Sequence, residues 1–356
     1  MNNLRINQIL AALEYGDAIG NEALAINELL RSWGYKSKIY ADGIHPKLVD
    51  MATHSKKYKK SSSEDLVIFH FSIGSEVSKF VKTLPDKKII IYHNITPPHF
   101  FWGINDSLVY LLRKGREELA EFADITDLAL GVSEYNRREL VDLGFKNTGV
   151  LPLLIDFNKY AKEPDQRVLA AFDDDYINLV FVGRIVPNKR DEDIIKMFYY
   201  FNKYIEPRSR LILVGSYKGM DRYYSMLQNL VSRLNLNNVY MTGHVSLEEL
   251  IAYYKVADVF VSMSEHEGFC VPLLESMYFG VPILAYSSSA IPDTLSGSGV
   301  LLKEKRYEEA AEMAYLLATD ADLRDKIIRK QRTRLRDFDA KIVEAKLKKY
   351  IEEVIS

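Results

Sequence analysis

The stretch INLVFVGR, residues 177–184, decides the fold. It is an almost uninterrupted apolar run that ends in a glycine and an arginine. A strand this uniformly apolar is expected where helices cover both faces of a parallel sheet. The run SRLILVGS, residues 209–216, repeats the pattern after an amphipathic segment. The two runs therefore predict a parallel sheet with helical connections.

Working outward from these runs, short β-branched and aromatic segments alternate with amphipathic segments along the whole chain, as in βαβ units. A first series of strands is predicted at 4–13, 36–42, 66–71, 88–94, 128–133 and 148–154, and a second at 177–184, 209–216, 238–244, 258–263, 281–286 and 299–303. Helices are predicted at 21–33, 74–83, 107–122, 134–143, 190–204, 219–235, 246–256, 272–279 and 306–318. Two charged helices, separated near Phe338, are expected to follow.

The break between the two series predicts the domain organisation. Residues 156–176 are polar and acidic, and we interpret them as a linker. We therefore predict an α/β protein with two doubly wound, Rossmann-like domains, residues 1–156 and 157–337. Their parallel sheets are expected to face a shared cleft, with ligands at the carboxyl ends of the strands. The helix over 338–356 could pack back on the first domain.

Length and composition exclude several classes of protein. A chain of 356 residues is long for one core, and a net charge of -2 argues against a dedicated nucleic-acid binder. The one cysteine cannot form an intramolecular disulfide, and no Cys/His cluster has zinc spacing. The sequence shows no secretory signal and no apolar run near the ~20 residues that span a bilayer. We expect a cytoplasmic protein.

The stretch SEHEGFCVPLLESMYFGVPILAY, residues 264–286, is the first that could carry chemistry. Glu267 and Glu275 lie eight positions apart, and Pro272 suits the start of a helix. The backbone N–H groups before that helix could meet hydroxyl or phosphate oxygens. Taken singly, the residues have simpler interpretations. Glu275 could complement the helix dipole, Glu267 could be a solvated loop acid, and Cys270 could be a small buried apolar group.

Cations and glycines mark two further places. In FVGRIVPNKR, residues 181–190, Arg184 and Lys189 follow a buried strand, where a guanidinium and an ammonium suit a diphosphate. Surface cations after strands are common, so this signal alone is moderate. In EYGDAIGN, residues 14–21, Gly16 and Gly20 could let the backbone approach a phosphate. A plain tight turn is the alternative, since neither a dinucleotide fingerprint nor a Walker loop is present.

The stretch IIIYHNITPPHFF, residues 89–101, places His93 at the end of a predicted strand. A lone histidine is more often a structural hydrogen-bonding residue than a catalytic one, but this position strengthens the claim of His93, whereas His70 and His99 have weaker claims. The stretch FDDDY, residues 172–176, is interpreted as a solvated acidic patch rather than a metal site.

Together these motifs resemble the retaining glycosyltransferases of family 4, which have the GT-B fold. The resemblance covers nearly the whole chain, and the E-x7-E spacing with G-F-x-x-P inside it is its most specific part. It implies that Arg184 and Lys189 hold the diphosphate of a nucleotide-sugar donor. It also implies that Glu275 binds the ribose hydroxyls and that Glu267 lies beside the donor sugar.

The same resemblance assigns the remaining positions. His93 would contact the sugar near the reacting centre. Gly16, with Asp17 or Ala18 as alternatives in this longer loop, would bring an N–H to the phosphate. The other donor-binding residues implied are Gly268, Phe269, Cys270 and Val271 at the sugar and Gly215, His244 and Val245 near the nucleobase.

The resemblance implies a metal-independent, retaining hexosyltransferase with a glycan or lipid-linked glycan acceptor, of the type that builds bacterial surface polysaccharides. GDP-mannose is the favoured donor. The alternatives are a nucleotide-sugar 2-epimerase and a non-catalytic nucleotide-sugar-binding subunit. Basic residues in 54–63, with Arg113, Lys114 and Arg116, could contact anionic lipid at the inner face of the cell membrane. Solvated surface is an equally good interpretation of them.

Overall fold

The computed structural model describes residues 4–59 and 61–356. These residues form two compact units. The N-terminal unit contains the described residues up to 99, together with 107–155 and 338–356. The C-terminal unit contains 100–106 and 156–337.

All β-strands in the two units belong to parallel sheets. In chain order they are β1 (Ile6–Leu13), β2 (Ile39–Ile44), β3 (Ala52–His54), β4 (Leu66–Phe71), β5 (Lys87–Tyr92), β6 (Leu128–Gly131), β7 (Thr148–Val150), β8 (Ile177–Val182), β9 (Ser209–Val214), β10 (Val239–Gly243), β11 (Val259–Ser262), β12 (Ile283–Tyr286) and β13 (Val300–Leu302). Within the described residues the N-terminal sheet has the order β3-β2-β1-β4-β5-β6-β7 and the C-terminal sheet β10-β9-β8-β11-β12-β13.

Helices connect the strands. They are α1 (Ala18–Ser32), α2 (Glu76–Lys82), α3 (Asp106–Ala120), α4 (Glu134–Asp142), α5 (Gln166–Phe172), α6 (Asp191–Tyr200), α7 (Asp221–Arg233), α8 (Leu247–Lys255), α9 (Val271–Phe279), α10 (Ile291–Leu295), α11 (Tyr307–Thr319), α12 (Ala321–Leu335) and α13 (Ala340–Ile355). None of them, within the part of the chain described, combines the length and the apolarity that crossing a bilayer requires.

Burial in the sheets confirms the predicted fold class. Every residue of β4 and of β9 is buried, which is the pattern of strands covered on both faces. The two units are accordingly doubly wound, Rossmann-like α/β structures. In both sheets the loops that follow the carboxyl ends of the strands are the expected place for ligands.

The predicted linker is more regular than its composition indicated. Asp165 accepts hydrogen bonds from the N–H groups of Arg167 and Val168, and this cap starts α5 inside the stretch interpreted as a linker. The predicted strand over 148–154 is shortened to β7, and β3 and α10 were not predicted. Both β3 and α10 are too short to show a clear period in the sequence.

The C-terminal segment breaks where the sequence predicted. α12 ends at Leu335, a single turn follows over 336–338, and Asp339 caps α13. α13 lies in the N-terminal unit, where the Lys87 ammonium donates to the carbonyl of Val354 at 2.7 Å. The ring of Tyr350 fills the space that a side chain at Gly149 would need.

Candidate active site

Arg184 lies directly after β8 with its side chain in solvent. The N–H of Gly183 donates to Val214 at 2.9 Å and that of Ile185 to Ser216 at 3.0 Å, so the backbone follows β9 beyond the end of β8. Arg184 itself is exposed. Among the residues described, its guanidinium has no hydrogen-bond or ion-pair partner. A fixed backbone thus presents an unpaired cation at the carboxyl end of the sheet.

Lys189 ends the one-turn helix 187–189 and is paired with Glu267. Its Nζ atom lies 2.5 Å from Oε2 of Glu267, and the two side chains are 19% and 6% exposed. Burial has the largest single effect on the pKa of Lys189 and lowers it, but the charge and hydrogen bond of Glu267, together with the nearby Cys270 and Asp191, outweigh burial, so the pKa is raised. Lys189 is therefore a cation at neutral pH, with its charge partly shielded from water.

The loop that carries Glu267 is braced by side chains. The side-chain amide of Asn188 donates to the backbone carbonyl of His266 at 3.0 Å. The backbone carbonyl of Asn188 accepts from the N–H of Glu265 at 2.9 Å. The N–H of Glu267 donates to the Ser289 hydroxyl at 2.7 Å. These bonds fix the Glu267 carboxylate beside Lys189, so the sequence interpretation of a solvated loop acid is wrong.

Cys270 turns the chain into α9. Its φ is +72°, a left-handed conformation at the position directly before the helix. The thiol is buried and burial raises its pKa, which agrees with its interpretation as a small buried group rather than a nucleophile. Phe269 is also buried, and its carbonyl accepts from the Thr294 hydroxyl at 2.7 Å. Gly268 and Val271 are partly exposed.

Two tyrosines hold the carboxylate of Glu275. The Tyr254 hydroxyl donates to Oε2 at 2.7 Å, and the Tyr160 hydroxyl donates to Oε1. Glu275 is 6% exposed and lies beyond the first turn of α9, which contains no acid, so the simpler interpretation of a first-turn acid that complements the helix dipole is wrong. Burial raises the pKa of both phenols, which keeps them protonated donors. Sequence reasoning missed Tyr160 because it lies in the segment interpreted as a linker.

Glycines line the carboxyl ends of β8, β9 and β10. A side chain at Gly215 would collide with the carbonyl oxygen of Gly183. Gly215 also forms an isolated bridge with Gly243, directly before His244. His244 is exposed and Val245 is half-buried. The nucleobase contact of Gly215, His244 and Val245 stays a prediction.

The glycine turn of the N-terminal unit is a capped helix start. Gly16 has a φ of +79° and faces open space, and Asp17 accepts from the N–H of Gly20 at 3.4 Å. The helix thus begins at Ala18 and not at residue 21 as predicted. Gly20 is the glycine that packing requires, since a side chain there would lie 2.7 Å from the carbonyl of Glu14. The phosphate contact of Gly16 or Asp17 stays a prediction.

His93 is part of a buried polar cluster within the N-terminal unit. Its Nε2 atom lies 3.0 Å from Nδ1 of His70 and 3.5 Å from Oε2 of Glu22. Nε2 of His70 lies 2.9 Å from Oε1 of Gln8. The side chain of His93 is only 3% exposed. Sequence reasoning ranked His70 as a weak candidate and missed Gln8 and Glu22. Each of these two lies in a segment rich in apolar residues, and no motif points to it.

Burial sets the protonation of this cluster. It lowers the pKa of His70 to about 3 and that of His93 well below its usual value, with the neighbouring His70 adding to the effect. Burial raises the pKa of Glu22 to about 8, and the backbone N–H of Leu154 opposes that shift without forming a well-aligned hydrogen bond to either oxygen. Near pH 7 all three groups are therefore predominantly neutral.

The basic residues of α3 that were predicted to contact lipid lie near acidic partners. Lys114 lies 2.9 Å from Glu76, Arg116 lies 3.0 Å from Glu139, and the more distant Arg113–Glu117 pair is 3.9 Å apart. These pairs reduce the net positive charge of that face. The other predicted stretch, 54–63, includes residue 60, which lies outside the described residues.

Two helix-covered parallel sheets are the architecture of the GT-B fold, and solved structures of that fold match this chain. Anabaena HepE, solved in complex with UDP-glucose, has this fold and matches with a TM-score of 0.76 at 15% identity, over 99% of this chain and 100% of its own. That likeness concerns the fold. Residues 162–334, which lie in the C-terminal unit, match the family Glycosyl transferases group 1.

Curated relatives align with parts of the chain. An uncharacterised glycosyltransferase of Methanocaldococcus jannaschii is 30% identical over 151 residues, which are 42% of this chain and 38% of the relative. A GDP-mannose-dependent alpha-(1-6)-phosphatidylinositol monomannoside mannosyltransferase of Mycolicibacterium smegmatis is 26% identical over 198 residues, 52% of this chain and 50% of the relative. The chain thus spans half or less of the length of these two relatives.

Proposed function

We propose that the protein is a retaining glycosyltransferase that moves a hexosyl residue from a nucleotide-sugar to a glycan or lipid-linked glycan, without a metal ion. The observation that carries the proposal is the pair of cations around the end of β8. Arg184 is exposed and unpaired within the described residues, and Lys189 is held by Glu267. Their position is the one in which open α/β sheets bind ligands.

These cations suit the chemistry of a leaving nucleoside diphosphate. Breaking the bond between the sugar and the phosphate develops negative charge on the diphosphate. Arg184 offers two parallel N–H donors and Lys189 offers a point charge, so both can stabilise that charge without a metal ion. The braced backbone around Lys189 supports this role, because charges that are already in place need no reorganisation during the reaction.

The carboxylates would orient the rest of the donor. Glu267 lies beside Lys189 and would address the hydroxyls of the donor sugar. Glu275 would address the ribose, since each carboxylate oxygen can accept a further hydrogen bond beside its tyrosine partner. His93 would contact the sugar from the N-terminal unit. The two carboxylates are thus assigned to binding and not to the acid and base roles of a glycosidase.

GDP-mannose is the donor we favour, because the mycobacterial relative is a GDP-mannose-dependent mannosyltransferase. The proposed product is a bacterial surface polysaccharide assembled on a lipid carrier. Peripheral contact with anionic lipid belongs to this proposal and would rely on residues 54–63, since the cations on α3 are paired. Binding to vesicles with and without anionic lipid tests that part separately.

Turnover of donor decides between this proposal and its rivals. Thermal shift with GDP, UDP, ADP and dTDP identifies the base, and release of the matching nucleoside diphosphate is then followed with and without a lipid-linked acceptor. A transferase releases diphosphate in an acceptor-dependent way and leaves a glycosylated acceptor. A 2-epimerase would convert donor without acceptor, and a non-catalytic subunit would bind nucleotide with no release.

A further inference from the structure

A directional chain of hydrogen bonds leads to His93 and begins at Gln8. The amide Nε2 of Gln8 donates to the carbonyl of Ala23 at 2.9 Å, and Oε1 of the same side chain lies 2.9 Å from His70. The opposite amide orientation would set two carbonyl oxygens against each other at a fully buried position. The contact with Ala23 therefore fixes Gln8 as an acceptor toward His70.

This orientation determines the tautomer of both histidines. Since Gln8 accepts, Nε2 of His70 carries the proton, and a neutral His70 then has a lone pair at Nδ1. That lone pair lies 3.0 Å from Nε2 of His93, so His93 must carry its proton at Nε2. A neutral His93 consequently has its lone pair at Nδ1, which has no hydrogen bond in the described part of the chain. The lowered pKa values of both rings agree with both imidazoles being neutral.

This chain of hydrogen bonds lies at the end of the sheet where a ligand is expected. His70 belongs to β4, and His93 follows β5, the neighbouring parallel strand. The N–H of His93 donates to the carbonyl of Phe71 at 2.9 Å, which fixes the backbone of His93 at the carboxyl end of this pair of strands. One ring nitrogen of His93 is thus held from inside the unit, and the other has no hydrogen-bond partner among the described residues.

We propose that Gln8 and His70 are positioning residues that lock His93 in the tautomer with a proton on Nε2, so that Nδ1 accepts a hydrogen bond from a hydroxyl group of the bound sugar or acceptor. The hydrogen bond from the sugar or acceptor to Nδ1 rests on the proposed function. The tautomer itself is independent of activity. A histidine held in the wrong tautomer can lose most of its contribution to a reaction, which is why such partners matter.

Nitrogen-15 NMR of the imidazole rings in the full chain tests the tautomer without any turnover. The signals are assigned by their loss in His70→Gln and His93→Gln. We expect both rings to show a protonated Nε2 and an unprotonated Nδ1 at neutral pH. A proton on Nδ1 of His93 would overturn the proposal. Elemental analysis that finds one equivalent of a divalent cation per chain would also overturn the proposal, because His70, His93 and Glu22 lie close enough together to ligate a metal ion.

Kinetics test the positioning role. Gln8→Leu removes the acceptor, and we expect kcat to fall about tenfold or more while the donor KM stays unchanged. Gln8→Glu restores an acceptor and should recover part of the loss. His45→Gln is the matched control, since His45 caps a surface turn of the same unit. Unchanged kcat in a folded Gln8→Leu would refute the role, whereas a wild type that turns over no donor would refute only the proposed function.

Discussion

The Nζ atom of Lys189 lies 2.5 Å from Oε2 of Glu267, although 78 residues separate them in the chain. The pair joins the end of β8 to the loop before α9. Because both side chains are largely buried, each charge depends on the other. Two effects of mutation, on stability and on activity, must therefore be separated at this pair.

Lys189→Met should impair both properties. It leaves Glu267 buried without a partner, and we expect the unfolding free energy to fall by about 3 kcal/mol. The rate of nucleoside diphosphate release should fall about 100-fold or more, which is the scale of losing one electrostatic stabiliser. The double variant Lys189→Met/Glu267→Gln removes the unpaired charge and should regain stability without regaining release. Recovery of release in the double variant would contradict a role for Lys189 at the diphosphate.

Arg184→Ala should affect binding alone. Its side chain is exposed and unpaired among the described residues, so stability should change by less than about 0.5 kcal/mol. Affinity for the cognate nucleoside diphosphate should fall about tenfold or more, because the loss removes charge-assisted hydrogen bonds. Calorimetric titration measures this, with Arg233→Ala at the exposed end of α7 as the control. Equal affinities of the two variants would remove Arg184 from the diphosphate site.

Tyr160→Phe tests how Glu275 is held. The change removes one of the two hydroxyls that donate to this carboxylate, and we expect a loss of about 1.5–3 kcal/mol of stability.

If Glu275 binds the ribose, the wild type should also prefer the cognate nucleotide to its 2′,3′-dideoxy analogue, and Glu275→Gln should reduce that preference. Titration with both nucleotides checks this. An undiminished preference in Glu275→Gln would place the ribose elsewhere.

Sequence reasoning succeeded where burial is uniform. The strand predicted at 66–71 is β4 with the same bounds, because an apolar run covered on both faces has clear ends. The prediction failed for β3 at the edge of the sheet and for α5, whose capping by Asp165 was hidden in an acidic stretch. Short elements rely on local capping and on neighbours that periodicity does not reveal.

The candidate site was predictable in its charged residues and not in their partners. Motif spacing identified Lys189, Glu267 and Glu275. Tyr160 was not identified, since a single donor in an irregular segment has no sequence pattern. Gln8 was missed for a related reason, because it is one polar residue in a strand that is buried almost throughout. Tyr160 and Gln8 were therefore found from the geometry of their hydrogen bonds and not from a motif.

Glu22 predicts an unusual dependence of stability on pH. Burial raises its pKa to about 8 in the folded protein, whereas the unfolded value is near 4.5. The folded state therefore retains a proton that the unfolded state loses, and this contribution to stability falls as pH rises from about 4.5 to about 8. His70 and His93 lie 3.9 and 3.5 Å from the Glu22 carboxylate, and Glu344 lines the same small cavity as Glu22.

Glu22→Gln should remove this dependence, because the amide resembles the protonated acid and cannot ionise. Wild type and variant should have similar unfolding free energies near pH 5. Near pH 8 the variant should be more stable by about 3 kcal/mol, at ~1.4 kcal/mol per pKa unit over much of the shift. Glu28→Gln, on the exposed side of α1, is the control and should leave the wild-type profile unchanged. Denaturant unfolding at both pH values measures the difference, and parallel profiles for wild type and Glu22→Gln would show that Glu22 ionises normally.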